Sequence, residues 1–109
     1  MAKQTHRKIT LFIDGEEKTY HSKFASAMNV FKAQEMFKRM EQEPDKEMEI
    51  IDEILDFIAK DIYHSEFTKD DILDGIDAAD FMEELQTQLI MVMTRDVDSV
   101  KKQAFLSQK

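Results

Sequence analysis

Apolar positions recur along this chain at two periods, and the changes of period mark its elements. Lys8-Ile9-Thr10-Leu11-Phe12-Ile13 is a short run rich in β-branched and aromatic residues, the kind that strands favour. Asp14-Gly15 is a two-residue hairpin signal, and Lys18-Thr19-Tyr20-His21 reads as the returning strand. An isolated hairpin is marginal in water. This one must therefore lie on helices or pair with another chain, and its open edge is a candidate self-association surface. From Ser26 the period becomes helical. The spacing predicts a helix over 27–42, with Ser26 as its N-cap. Ala27, Val30, Ala33 or Gln34, Phe37 and Met40 form the stripe, which Phe31 and Met36 widen. Lys32, Lys38 and Arg39 lie on the basic opposite side.

Pro44 disfavours helical geometry at Glu43 and suits the start of a second helix, predicted over 45–64. Met48, Ile51, Ile54, Leu55, Ile58 and Ile62 share one face of it, with Ile50 and Phe57 extending that face sideways. The stretch from Phe67 to Asp77 then reads as a one-turn helix with its start and stop written in. Thr68 is the N-cap, and Asp71 three residues on completes an approximate capping box. Asp70 and Asp71 put negative charge where the helix dipole favours it. Gly75 falls where a left-handed residue would close the turn. Asp77 is placed to cap the next helix, again with an acid, Asp80, three residues later. Phe67, Ile72, Leu73 and Ile76 are left to anchor this corner in a core. In the last helix Ala78, Phe81, Met82, Leu85, Leu89, Val92 and Met93 keep the period, while Leu89-Ile90-Met91-Val92-Met93 is apolar on every side. Such a segment is either fully buried or covers a partner. The pattern describes one α+β domain over 1–94, mostly α. An N-terminal hairpin packs on three main helices and a short capped one, and a polar tail, a frayed helix or a mobile arm, occupies 95–109.

Composition narrows the function. The chain has 109 residues, 42% of them hydrophobic, enough for one packed core. It has no cysteine, so disulfides and thiolate metal sites are excluded. The net charge of −8 is uneven. Residues 1–40 carry eight Lys or Arg against four acids, residues 41–84 three against seventeen, and residues 85–109 four against two. The acidic middle would repel phosphates, which argues against nucleic-acid binding. It reads either as a solvated face or as a mimic of nucleic acid that engages a basic partner. The basic start, Met1 to Lys8, leads only into the short run Ile9 to Ile13, too short for a secretory core. No segment has the ~20 apolar residues of a membrane span.

Catalytic chemistry is hard to place. Aligning Gly75 with the glycine of an EF-hand loop puts Ile72 at position three and Phe81 at position twelve, which removes essential oxygen ligands. His6, His21 and His64 lie in three separate elements, without zinc-ligand spacing. His64, near a helix C-terminus, reads as a dipole partner. There is no phosphate-binding glycine loop and no nucleophile elbow. The chain reads as a binding protein, not an enzyme, with no cofactor. Eight methionines are many for this length. Methionine is flexible and polarizable, which suits a surface that fits varied apolar clients. Met48 and Met82 fall on the main stripes and read as core. Met36, Phe37, Met40, Ile90, Met91 and Met93 are the candidates for partner binding.

Phe67-Thr68-x-Asp70-Asp71-Ile72-Leu73-Asp74-Gly75-Ile76-Asp77-Ala78 resembles the signature of the tail assembly chaperones of long-tailed (siphovirus-type) phages and prophages. The strand pair from Ile9 to Tyr20 and Phe24-x-Ser26-Ala27 at the head of a helix agree with it, so the likeness spans roughly residues 8–94. Phe67, Thr68, Asp70, Asp71, Leu73, Gly75 and Asp77 are structural, not catalytic, parts of that signature. The resemblance implies a protein of the host cytoplasm that coats the long, apolar, helical tape measure protein during tail assembly and is absent from the mature virion. It implies that the tail tube protein is recruited through a longer frameshifted product, and this chain looks like the short form. Two other roles fit the residues: an acidic regulator of a basic nucleic-acid-binding protein, and a self-assembling structural tail protein.

Overall fold

The computed structural model describes residues 5–95. Strand β1 (Lys8–Ile13) and strand β2 (Glu16–His21) form an antiparallel hairpin with Ile13 opposite Glu16 and Lys8 opposite His21. Asp14 and Gly15 both take positive φ, +53° and +81°, as a two-residue turn of the twist-compatible type requires. Ile9 and Leu11 are buried, whereas Thr10 and Phe12 face outward, so the hairpin lies on the helices by its Ile9/Leu11 face. Its open end is tied down by Ser22. The Ser22 N–H donates to Arg7 O at 2.9 Å, and the Ser22 hydroxyl lies 2.9 Å from Ile62 O.

Helix α1 (Met28–Gln42) packs on α4 (Phe81–Met93) and α2 (Glu47–Asp56), while α3 (Lys69–Gly75) packs on β1. Short 3-10 turns, Pro44–Lys46 and Ala78–Asp80, introduce α2 and α4. The architecture is α+β and mostly α, with three main helices and one short capped helix, as the pattern predicts. Arg95 is the only residue of the expected 95–109 tail within the described range.

Several local expectations are corrected. Ser26 does not cap α1 with its side chain. The N-cap is Ala27, without a side-chain bond, and Ser26 contributes its carbonyl, which accepts from the Asn29 N–H at 3.0 Å. The buried face of α1 runs through Asn29, Ala33 and Met36, so the stripe is rotated away from Ala27 and Phe31. The second helix is not uniform over 45–64. At Phe57 it passes into a π-helical segment, Phe57–Ile62, and the Tyr63 N–H donates to Ile58 O at 3.0 Å, five residues back. The wider turn changes the angular step, and Phe57, Ala59 and Tyr63 join Ile58 and Ile62 inside. Met48, expected in the core, is 79% exposed, because the 3-10 turn before α2 starts the helix with Ile50 and Ile51 facing inward.

The corner keeps its start and changes its stop. Thr68 and Asp71 form the full reciprocal box. The Asp71 N–H donates to Thr68 Oγ1 at 3.3 Å, and the Thr68 N–H donates to Asp71 Oδ2 at 2.9 Å. Asp77 caps the following turn by accepting from the Ala79 N–H at 3.0 Å, but Asp80 makes no capping bond of its own. Gly75 is not left-handed. It is the last residue of α3, and a Cβ there would lie 3.0 Å from Leu11 Cβ and 3.2 Å from Phe12 N. The glycine serves close approach of helix to strand. The left-handed positions before this corner are His64 and Ser65, at φ +53° and +62°, which turn the chain out of the π segment. Leu73, expected as an anchor, is 49% exposed, and Phe67 and Ile72 hold the corner instead. Phe67 sits between Tyr20 and Tyr63, at ring-centroid distances of 4.9 and 5.1 Å.

Candidate functional site

The six partner-binding candidates separate by burial. Met36 and Ile90 belong to the interior. Phe37, Met40, Met91 and Met93 are half-buried. Phe37 and Met40 project from α1 toward Ile54 on α2 and Met82, Leu85 and Leu89 on α4, where they line a small crevice of about 30 Å³. Met91 and Met93 lie in the last turn of α4. That turn is closed by His6, whose Nε2 lies 2.8 Å from Met91 O and 3.0 Å from Thr94 O. Both partners are carbonyls, so Nε2 carries the proton and donates. This places the N-terminal approach to β1 against the C-terminus of α4.

Among the described residues, three large exposed apolar side chains lie close together in sequence where the periodicity argument did not place a partner surface. Phe24, Met28 and Phe31 are 75%, 62% and 66% exposed. Met28 and Phe31 are three residues apart at the start of α1, hence neighbours on one helix face. Phe24 precedes them in the segment from β2, and its carbonyl accepts from His64 Nε2 at 3.1 Å. His64 thus holds that segment, not the end of its own helix. The signal available in the sequence was Phe31, which widens the stripe of α1 and fits no consistent buried face. Isolated exposed apolar residues are ordinary, but three large ones fall within eight positions here, and Met28 and Phe31 share one face of α1.

A cleft of about 340 Å³ between α1 and the α2/π helix has Met36 and Phe57 at its base and ion pairs across its mouth. Arg39 binds Glu53 through two hydrogen bonds of 3.0 and 2.9 Å, and Lys32 meets Asp61 at 3.3 Å. The hydrogen bond from Arg39 holds the Glu53 carboxyl below the usual carboxylate range. These pairs are exposed, so they orient the two helices more than they stabilise them. Asp80, Glu83, Glu84 and Thr87 form an acidic surface at the start of α4.

The interior contains a polar network around Gln88 that sequence reasoning missed. Gln88 is buried and fully bonded. Its Oε1 accepts from the Tyr63 hydroxyl at 2.7 Å, and its Nε2 donates to Lys8 O at 2.8 Å and to Glu84 Oε2 at 2.9 Å. It links β1, α4 and the end of the π segment. Burial pushes the Tyr63 hydroxyl well above the ordinary phenol range, reinforced by the Glu84 charge. Among the described residues no group of three or more His, Asp or Glu could hold a metal, and no helix is long and apolar enough to cross a membrane.

A family model described as "Phage tail chaperone protein" matches residues 4–109. No curated protein and no solved structure gives a significant match.

Proposed function

The chain belongs to the phage tail chaperone family, and from that premise we propose that it binds the tape measure protein and keeps it soluble during tail assembly. Membership supports a role as a tail assembly chaperone and points to a non-enzymatic function. The observation that carries the finer reading is the exposed rim of Phe24, Met28 and Phe31. A helical client with exposed apolar stripes would lay them on such a rim, as amphipathic helices lie on apolar surfaces. Met28 supplies an adaptable side chain on that rim, of the kind a surface needs to fit a varying client. Many copies on one client gain by multivalency, so single contacts need not be tight. The acidic middle keeps the coated complex dispersed in the host cytoplasm. In this reading the protein leaves before the virion matures, and the tail tube protein is engaged by a longer frameshifted product.

The test is co-expression with the tape measure protein, followed by a pull-down and measurement of its soluble fraction. The wild-type chain is expected to retain the client in solution. Phe24→Ser/Met28→Ser/Phe31→Ser is expected to lose most of that capture with its circular dichroism unchanged. Full capture by the triple variant would overturn the assignment to this rim. Retention of a basic DNA-binding protein, abolished by added salt, with the tape measure protein left insoluble, would overturn the client itself.

A further inference from the structure

The two edges of the hairpin are treated differently by the fold. Across a two-residue turn, Ile13 and Glu16 form a hydrogen-bonded pair, and the bonded pairs then alternate through Leu11–Lys18 and Ile9–Tyr20. The other pairs, Phe12–Glu17, Thr10–Thr19 and Lys8–His21, turn their backbone N–H and C=O groups away from the hairpin. Two observations fit that assignment. Thr10 and Thr19 bring their hydroxyls to 2.8 Å, as the closer, non-bonded pairs allow. A Cβ on Gly75 would meet Phe12 at its N and O, 3.2 and 3.3 Å away, which places α3 directly over the outward groups of Phe12. At Phe12 the β1 edge is therefore covered by α3, with a side chain at residue 75 omitted to permit it, and at Lys8 its carbonyl accepts from Gln88 Nε2 of α4.

The β2 edge has no such cover. Glu16, Glu17, Lys18, Thr19 and His21 are exposed, and only Tyr20 is half-buried. Among the described residues, Glu17, Thr19 and His21 make no backbone hydrogen bond beyond the hairpin. Three N–H donors and three carbonyl acceptors thus stand in a row, a template for another strand.

We infer that the β2 edge pairs antiparallel with the β2 edge of a second copy of this chain, joining two hairpins into a four-stranded sheet. The pattern of charge selects both the occupant and the register. Outward-facing residues must meet outward-facing residues about a two-fold axis. Centring that axis on Thr19 uses the whole run 17–21 and sets Glu17 opposite His21 of the second copy, and Lys18 opposite its Tyr20. Neither pair is of like charge. Centring on Lys18 would oppose two lysines, and centring on Glu17 two glutamates, both unfavourable directly across strands. Centring on Tyr20 would leave only residues 19–21 paired within the strand. A strand pair of this length buries less than a standard stable interface, so the dimer is weak and rises with concentration. The pairing goes beyond client binding and stands without it, because the rim at Phe24, Met28 and Phe31 takes no part.

Sedimentation equilibrium of the full chain over a wide concentration range, without any client, tests this. A reversible monomer–dimer equilibrium is expected. Thr19→Pro removes an outward N–H while sparing the bonds to β1, and should weaken dimerisation at least tenfold with the helical circular dichroism retained. His21→Glu should weaken it too, by setting like charges across the interface. Glu17→Lys/His21→Glu restores opposite charges in the proposed register and should recover the dimer. A chain monomeric at every concentration would overturn the inference. So would a dimer that a folded Thr19→Pro variant leaves intact. Should Thr19→Pro unfold, the charge pair decides: a double variant no more dimeric than His21→Glu overturns the register and the inference with it.

Discussion

The corner at Phe67–Asp77 and the head of α1 at Phe24–Phe31 are both places where the chain enters a helix, and they are built oppositely. At the corner, Thr68 and Asp71 satisfy each other's backbone donors, Phe67 and Ile72 are buried, and Gly75 seats α3 on β1. At the head of α1 no side chain caps the helix, and three large apolar groups face water. The corner completes its interactions within the monomer. The head of α1 leaves apolar surface for something outside it. The motif that resembles the family's signature lies in the first, whereas the surface proposed to meet the client is the second.

Substitutions should separate the two regions by size of effect. The largest is expected at Gly75. Gly75→Val puts a branched side chain against Leu11 and the Phe12 backbone, and should cost about 3 kcal/mol as overpacking, measured by urea denaturation. Client capture per folded molecule should be unchanged. Next comes Tyr63, which packs on Phe67. Burial, then Glu84, raises its folded-state pKa above the unfolded value. The contribution is therefore complete below the unfolded pKa, about 10, and is lost as pH rises above it, by up to about 1.4 kcal/mol per pH unit. Thermal melts in alkaline buffer should show a decline that Tyr63→Phe flattens. Thr68→Ala should cost about 1 kcal/mol and Thr68→Ser much less, since the serine hydroxyl can still accept from the Asp71 N–H. The smallest stability effect is expected at the rim. Phe31→Ser should change the unfolding free energy by less than about 0.5 kcal/mol. Its effect should appear in the soluble fraction of the client. A large loss of stability there would erase the contrast between the regions.

Reading the elements from sequence worked at several short-range signals and failed at two others, the Ser26 cap and the left-handed turn at Gly75. Asp14-Gly15, Thr68 with Asp71, and Asp77 each act on backbone groups within three residues, and all three behave as the pattern implies. Reading burial from sequence worked less well. Met36 and Ile90, offered for a partner, are core, while Met48 and Leu73, offered as core, are exposed. Helical period states that a face exists. It does not state where the facing element sits, and a rotation of one residue exchanges Phe31 for Met36. The π segment is invisible to a fixed period because it is a change of period.

By itself, then, the sequence determined the hairpin, the start of each short turn, the helix count and the family. Those rest on propensities and caps that a few neighbouring residues satisfy among themselves. The tertiary structure alone decided that Gly75 is a contact and not a turn, that Gln88 bridges β1 to the end of the π segment, and that one edge of the hairpin is covered while the other stays open. Each of these joins residues far apart in the chain, and such a contact exists only after the helices and the hairpin have packed together.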